Sequence, residues 1–262
     1  MPAKVITFGL QKGGVSKSSS CGITGYLLAQ HGYRVLLVDM DSQGNLTEMM
    51  MQRDIYDFAD ETVLEAIKER DAKKYIHPCM ERIDMLTATD TLATLAHYLY
   101  TSNKGGDRLA ALRETLEPVL ENYDFILIDT PPALGEQTLS ALAASDYVVI
   151  MYEPAQFAHS ALDRFVETVE FVQAKANPKL EIAGILSTMV DLRKFHTKTL
   201  LRLVKKVHPN LMFKAQIKRR AATERLPLTG FEENEELEEA VEQYKPFVEE
   251  LLERVAEKTT VE

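Results

Sequence analysis

Lys4-Val-Ile-Thr-Phe-Gly-Leu-Gln-Lys-Gly-Gly-Val-Ser-Lys-Ser-Ser-Ser20 decides the fold of this 262-residue chain. Residues 5–8 read as a short buried strand, residues 9–16 as a loop, and Lys17 onward as a helix reaching about His31. A strand, a glycine-containing loop and a helix N-terminus together make an anion site. Backbone N–H groups converge there and the helix dipole favours negative charge. A lysine followed by hydroxyl side chains at the helix start, Lys17, Ser18 and Ser19, suits a phosphate group accompanied by a hard cation.

The general phosphate-loop pattern G-x-x-x-x-G-K-[ST] is met only in part, because Gln11 and Ser16 stand where its two glycines would be. Lys12, directly before Gly13-Gly14, restores the reading. Lys12-Gly13-Gly14-Val15-Ser16-Lys17-Ser18-Ser19 resembles the deviant Walker A motif of the ParA/MinD family of P-loop ATPases. The resemblance implies that ATP and Mg²⁺ bind across residues 12–19. It implies catalytic roles for Lys12 and Lys17, with Lys12 acting on the nucleotide of a second subunit, and a metal-ligand role for Ser18.

Two further acidic motifs follow. Residues 34–39 are a second apolar strand, ending in Asp39-Met-Asp41-Ser-Gln-Gly-Asn45. Carboxylates at the C-terminal end of a parallel strand face the ligand crevice of an open α/β sheet. The stretch resembles the family's Asp-x-Asp-x-Gln-Gly-Asn motif, which implies that Asp41 orients the attacking water and Asp39 supports the Mg²⁺ shell. Tyr123-Asp-Phe-Ile-Leu-Ile-Asp129-Thr-Pro-Pro132 has the Walker B pattern, four apolar residues and then an acid. Asp129 is expected beside the phosphate loop, touching Mg²⁺ directly or through water.

Helices are expected over residues 62–70, 90–100 (capped by Asp90), 107–120, 139–145, 155–174, 198–208 and 240–258. Further strands are expected at 83–87, 147–151 and 180–186. Lys104-Gly105-Gly106 reads as a plain loop, Met49-Met50-Met51 as core filler, and Pro246 as a bend in the last helix or its start. The alternation predicts an α/β fold, a mostly parallel twisted sheet with helices on both faces, in one domain over residues 1–262. The two cysteines, Cys21 and Cys79, make neither a disulfide framework nor a zinc site, and the six histidines lack metal-ligand spacing. No apolar run is long enough to span a bilayer, so a cytoplasmic protein is expected.

The net charge of −10 hides a segregation. Residues 193–225 hold eleven Lys/Arg against one acid, Glu224, a net of +10 that leaves −20 for the rest. Such asymmetry points to a local polyanion site. The resemblance implies non-specific DNA binding by the ATP-bound homodimer on the nucleoid, with hydrolysis stimulated by a ParB-type centromere-binding partner. Helical spacing puts Lys198, Arg202, Lys205 and Lys206 along one exposed flank, and the near absence of acids over the whole stretch favours phosphate contacts. Within it Arg193, Lys194, Lys218, Arg219 and Arg220 are the residues singled out for DNA. The family function implied is a partition ATPase. A MinD-like membrane-cycling ATPase is the alternative, but the tail around residues 232–239 is acidic where lipid docking wants a basic amphipathic segment. A non-hydrolysing, nucleotide-gated DNA clamp is another. An iron–sulfur electron carrier would need interface cysteines that Cys21 and Cys79 do not supply. Ser16 in place of glycine is expected to slow turnover, since a left-handed backbone costs a serine of order 1 kcal/mol.

Overall fold

The computed structural model describes residues 2–12, 14, 16–101, 107–155, 158–231 and 234–257. Gly13, Val15, the 104–106 loop, Glu232 and Lys258 lie outside the described residues. The chain opens with β1 (Lys4–Gly9), α1 (Lys17–Gln30), β2 (Val35–Asp39), α2 (Asn45–Met51) and α3 (Val63–Glu69). It continues with β3 (Ile76–Met80), β4 (Ile83–Leu86), α4 (Leu95–Thr101), α5 (Ala111–Leu116), β5 (Phe125–Asp129) and α6 (Glu136–Ala144). Then come β6 (Tyr147–Tyr152), α7 (Ala158–Lys175), β7 (Glu181–Val190), α8 (Phe195–Val207) and β8 (Met212–Lys218). Three helices close the chain: α9 (Ala221–Thr229), α10 (Glu235–Glu242) and α11 (Lys245–Glu257).

The eight strands form one sheet in the order β3-β4-β2-β5-β1-β6-β7-β8. Every neighbouring pair is parallel except β3 against β4. The expected α/β architecture is therefore present. The central strands are apolar throughout because both of their faces are covered. Val35 and Leu37 of β2 and Phe125 and Leu127 of β5 enter one core, with Ile23 and Leu27 of α1, Leu201 of α8 and Leu251 of α11. Leu36, Val38, Ile126 and Ile128 enter the other, with Val63 and Ile67 of α3, Leu95 of α4 and Leu112 of α5. Met49 and Met50 are buried as filler, and a Cβ on Gly22 of α1 would come within 2.5 Å of the Met49 methyl carbon.

Several expected boundaries shift for identifiable reasons. The helix expected over 107–120 is α5 followed by a 3₁₀ turn, Glu117–Asn122, because Pro118 has no N–H for the α pattern. Asp90 is not a cap. A 3₁₀ turn starts there, and its carboxylate instead accepts the Tyr56 hydroxyl at 3.1 Å. The terminal helix divides into α10 and α11, with Pro246 in the first turn of α11, where a missing N–H costs nothing. α2, β3 and α9 had no expectation. β3 escapes notice because it is a half-buried edge strand carrying Pro78, a residue that sheets accept only at edges.

The other edge, β8, is closed by side chains. Glu250 of α11 accepts the Lys214 N–H at 2.8 Å, and Gln243 accepts the Lys218 N–H at 2.8 Å. Arg254 anchors the same corner, donating to the carbonyls of Ala183, Leu211 and Met212 and to Glu250. Open edge amides invite strand addition, and these contacts remove two of them.

Candidate nucleotide site

Strands β2, β5 and β1 lie side by side in the middle of the sheet, and all three end at the same face. Asp39 and Asp129 are register partners, as are Phe8 and Asp129. Three separate stretches of sequence therefore deliver the phosphate loop and two acids to one crevice, where an open parallel sheet binds ligands. A cavity of about 330 Å³ opens there, lined among others by Gly14, Ser16, Lys17, Ser18, Ser19 and Asp41.

Ser16, the residue before α1, has φ 59° and ψ 35°, the left-handed conformation in which glycine would be free of strain. Its side chain makes no capping bond. Ser16→Gly is expected to add about 1 kcal/mol to the unfolding free energy in urea denaturation. Turnover should rise at constant ATP affinity. A variant that matches wild type in both would show that the loop holds this conformation without cost.

Lys17 is buried, and its Nζ donates to the Lys12 carbonyl at 3.1 Å. Burial lowers its pKa, while Asp129 and Asp41 pull it back up. The Ser18 hydroxyl donates to Asp129 Oδ2 at 2.5 Å. Asp129 is fully buried, and its Oδ1 has no hydrogen-bond partner among the described residues. Its pKa is raised to about 8, first by burial and then by the charge of Asp39.

Asp39 is also fully buried and is raised to about 6, by burial first, with its hydrogen bonds opposing. Its Oδ1 accepts the Asp41 N–H at 3.0 Å, and its Oδ2 accepts the Thr47 N–H at 2.9 Å and the Thr47 hydroxyl at 2.8 Å. Asp39 thus builds the turn between β2 and α2. Asp41, at the cavity wall, has one oxygen on the Gln43 N–H at 3.0 Å. Gly44 completes this turn with φ 64°.

Three carboxylates and one ammonium leave the crevice short of positive charge. The Ser18 hydroxyl beside the unpartnered Asp129 oxygen is a hard-oxygen donor set suited to Mg²⁺. Among the described residues no three His, Cys, Asp or Glu side chains converge as a protein-only metal cage. Mg²⁺ commonly takes one or two protein oxygens supplemented by phosphate oxygens and water.

Lys12 does not line its own cavity. Its Nζ donates to Glu153 Oε2 at 2.6 Å, just past the end of β6, and both side chains are 28% exposed. Glu153, Thr47 and Pro227 were absent from the expected site. Pro227 lines the cavity from inside α9, and a proline within a helix was the one local sign available.

The basic residues divide differently from expectation. Arg193 and Lys194 follow β7, and Lys218, Arg219 and Arg220 end or follow β8, so all five sit at the same end of neighbouring strands. Arg193 is ion-paired with Asp191 at 2.9 Å, Arg219 with Glu224 at 2.5 Å and Arg220 with Glu239 at 2.9 Å. Asp191 and Glu239 lie outside the stretch whose charge was counted.

A family model described as an AAA domain matches residues 3–182. The chain is 35% identical over 235 residues to the sporulation initiation inhibitor protein Soj of Bacillus subtilis, covering 87% of this chain and 88% of that protein. It is 35% identical over 192 residues to the chromosome partitioning protein ParA of Myxococcus xanthus, covering 72% and 66%. Among solved structures, it superposes on a putative plasmid partition protein from Borrelia burgdorferi bound to AMPPNP with a TM-score of 0.78. Identity is 27%, and the coverage is 98% of this chain and 100% of that one. A cobyrinic acid a,c-diamide synthase from Mycobacterium smegmatis with bound ADP and magnesium gives a TM-score of 0.82 at 27% identity, covering 97% and 96%.

Proposed function

The chain belongs to the ParA/Soj family of partition ATPases, and from that premise we propose that it is an ATP-switched homodimer that holds and releases DNA. It is an ATPase whose cofactors are ATP and Mg²⁺. The carrying observation is the meeting of Lys17, Ser18 and Asp129 at the ends of β1 and β5. In this reading, backbone amides of the loop and Lys17 bind the phosphates, while Ser18 and Asp129 hold Mg²⁺. Held there, Mg²⁺ would supply charge to offset that developing on the phosphate oxygens.

Asp41 takes the water in line with the terminal phosphate, and Asp39 acts through the turn that positions Asp41. Lys12 leaves Glu153 and reaches the partner subunit's nucleotide, where its charge stabilises the transition state. Gly13 and Val15 complete the loop by sequence. DNA is held through phosphate contacts without base reading, and a ParB-type partner accelerates hydrolysis and release. Association with the nucleoid follows from this cycle. Among the described residues no helix is long and apolar enough to cross a membrane.

Binding to a random-sequence duplex with ATP–Mg²⁺, ADP–Mg²⁺ and no nucleotide tests the DNA half. Salt-sensitive binding confined to ATP is the expected result. Equal binding in all three states would refute the gating, and no binding in any would refute the DNA reading.

A further inference from the structure

Glu48 is a carboxylate in the nucleotide cavity that none of the three motifs accounts for. The second motif ends at Asn45, and Glu48 follows Thr47 on α2, lining the cavity with Asp41, Gln43 and Asn45. Its place is held by the turn that Asp39 builds. The Thr47 N–H and hydroxyl are fixed on Asp39, and the Glu48 N–H donates to the Gly44 carbonyl at 2.9 Å. Leu46, Thr47, Met49 and Met50 are buried, which leaves Glu48 as an exposed residue of α2 at the cavity wall.

The Glu48 carboxylate makes no hydrogen bond or ion pair among the described residues. Its own subunit has no cation to give it. Lys17 is the one cation among the residues lining the cavity, and its ammonium is bonded to the Lys12 carbonyl and drawn toward Asp129 and Asp41. Lys12 sits on Glu153 just past the end of β6, whereas Glu48 belongs to the helix after β2. β2 and β6 are separated by β5 and β1, roughly 14 Å across the sheet, so a Lys12 ammonium paired with Glu153 is out of reach of Glu48 in the same chain.

A carboxylate left alone beside polyphosphate repels it, and the repulsion grows when a second subunit closes over the site and excludes water. A cation placed between carboxylate and phosphate turns both contacts attractive. The two-subunit cycle brings one such cation, on the loop of the other chain.

We propose that Glu48 receives the partner subunit's Lys12 and holds its ammonium against the terminal phosphate. The proposal rests on the two-subunit reading above and adds to it the group that orients the crossing lysine. Lys12 leaves one carboxylate, Glu153 of its own chain, for another, so its ammonium is paired in both states. Glu48 is a positioning residue. It acts on the reaction through Lys12 alone and binds neither the water nor the metal. It also sets a condition on the cavity. Before the second subunit arrives, Glu48 weakens the hold on ATP; afterwards it fixes the cation that offsets charge in the transition state.

Phosphate-release rates and equilibrium ATP binding test this with Glu48→Gln, which keeps the size of the side chain and removes its charge. Glu48→Gln is expected to lower kcat about tenfold, with ATP affinity unchanged or up to about threefold tighter. In a Lys12→Ala background the same substitution is expected to change kcat by less than about twofold, because the group it acts through is gone. An equal mixture of Lys12→Ala and Glu48→Gln chains is expected to regain about a quarter of wild-type turnover, since random pairing makes about half of the dimers hybrids with one intact site each. A rise in melting temperature with ATP, kept in each variant, shows that the chains fold and bind nucleotide. A Glu48→Gln chain with wild-type kcat overturns the proposal. So does a loss that persists in full in the Lys12→Ala background, which assigns Glu48 to the water or to Mg²⁺ while leaving the two-subunit reading in place. A mixture no faster than the average of its two components removes the two-subunit reading itself, and the proposal with it.

Discussion

Lys12→Ala will lower ATP hydrolysis by about 100-fold or more while leaving ATP affinity within a few-fold of wild type, because the charge it removes acts only in the transition state. The split follows from geometry. Lys17 lines the cavity, where the proposed mechanism has it bind phosphate in the ground state, whereas the Lys12 ammonium sits on Glu153. Lys12 must therefore exchange one carboxylate for the phosphates of a partner. Glu153→Gln keeps the shape and removes the competing charge. An ion pair exposed to this degree holds at most about 1 kcal/mol, so hydrolysis by Glu153→Gln should rise by no more than about fivefold. Phosphate-release assays with equilibrium nucleotide binding read both variants. If Lys12→Ala loses ATP affinity in step with turnover, Lys12 works in its own site and the two-subunit mechanism is wrong. A fall in turnover for Glu153→Gln would show that Glu153 aids catalysis rather than holding Lys12 back.

Asp39→Ala is expected to cost about 3 kcal/mol of stability and to reduce hydrolysis by about 100-fold. It leaves three buried donors, the Asp41 N–H, the Thr47 N–H and the Thr47 hydroxyl, without their acceptor, at about 1 kcal/mol or more each. Removing the buried charge returns part of that cost, since burial has already pushed the Asp39 carboxyl up to about 6. The turn that holds Asp41 then loosens, and misplacing a catalytic group by about 1 Å costs about 100-fold. Thr47→Val separates this positioning role from metal binding. Thr47 has no place in the cavity lining, yet its hydroxyl joins Asp39 to the Ala88 N–H. Thr47→Val should reproduce much of the loss in turnover with the Mg²⁺ dependence unchanged. A Thr47→Val enzyme with wild-type turnover, beside an Asp39→Ala enzyme rescued by high Mg²⁺, would make Asp39 a metal ligand instead.

The nucleotide site was largely legible because its parts are local. A phosphate loop is a strand, a turn and a helix start within seventeen residues, and its geometry follows from backbone angles that neighbours in sequence impose. The strain expected at Ser16 reappears as a left-handed residue for the same reason. The acids were placed correctly because buried parallel strands are apolar runs, and an acid ending such a run emerges at the ligand face. Boundaries failed where local rules compete: Pro118 converted an α-helix into a 3₁₀ turn, and a half-buried edge such as β3 shows no clear alternation.

What the sequence alone determined is the class of fold, the order of the three motifs and the identity of the residues that the sheet brings to one crevice. Each is written in short-range pattern. What only the tertiary structure decided is the pairing of charges. Lys12 finds Glu153 across 141 positions, and Arg220 finds Glu239 from another helix. Arg202, Lys205 and Lys214, similar to those arginines in the chain, make no ion pair among the described residues and line a groove beside an edge strand. Coulomb attraction depends on distance in space and on the water between the charges. Composition could locate a basic segment, but only the packing of α8, β8 and α11 shows which of its cations remain free to hold another polyanion.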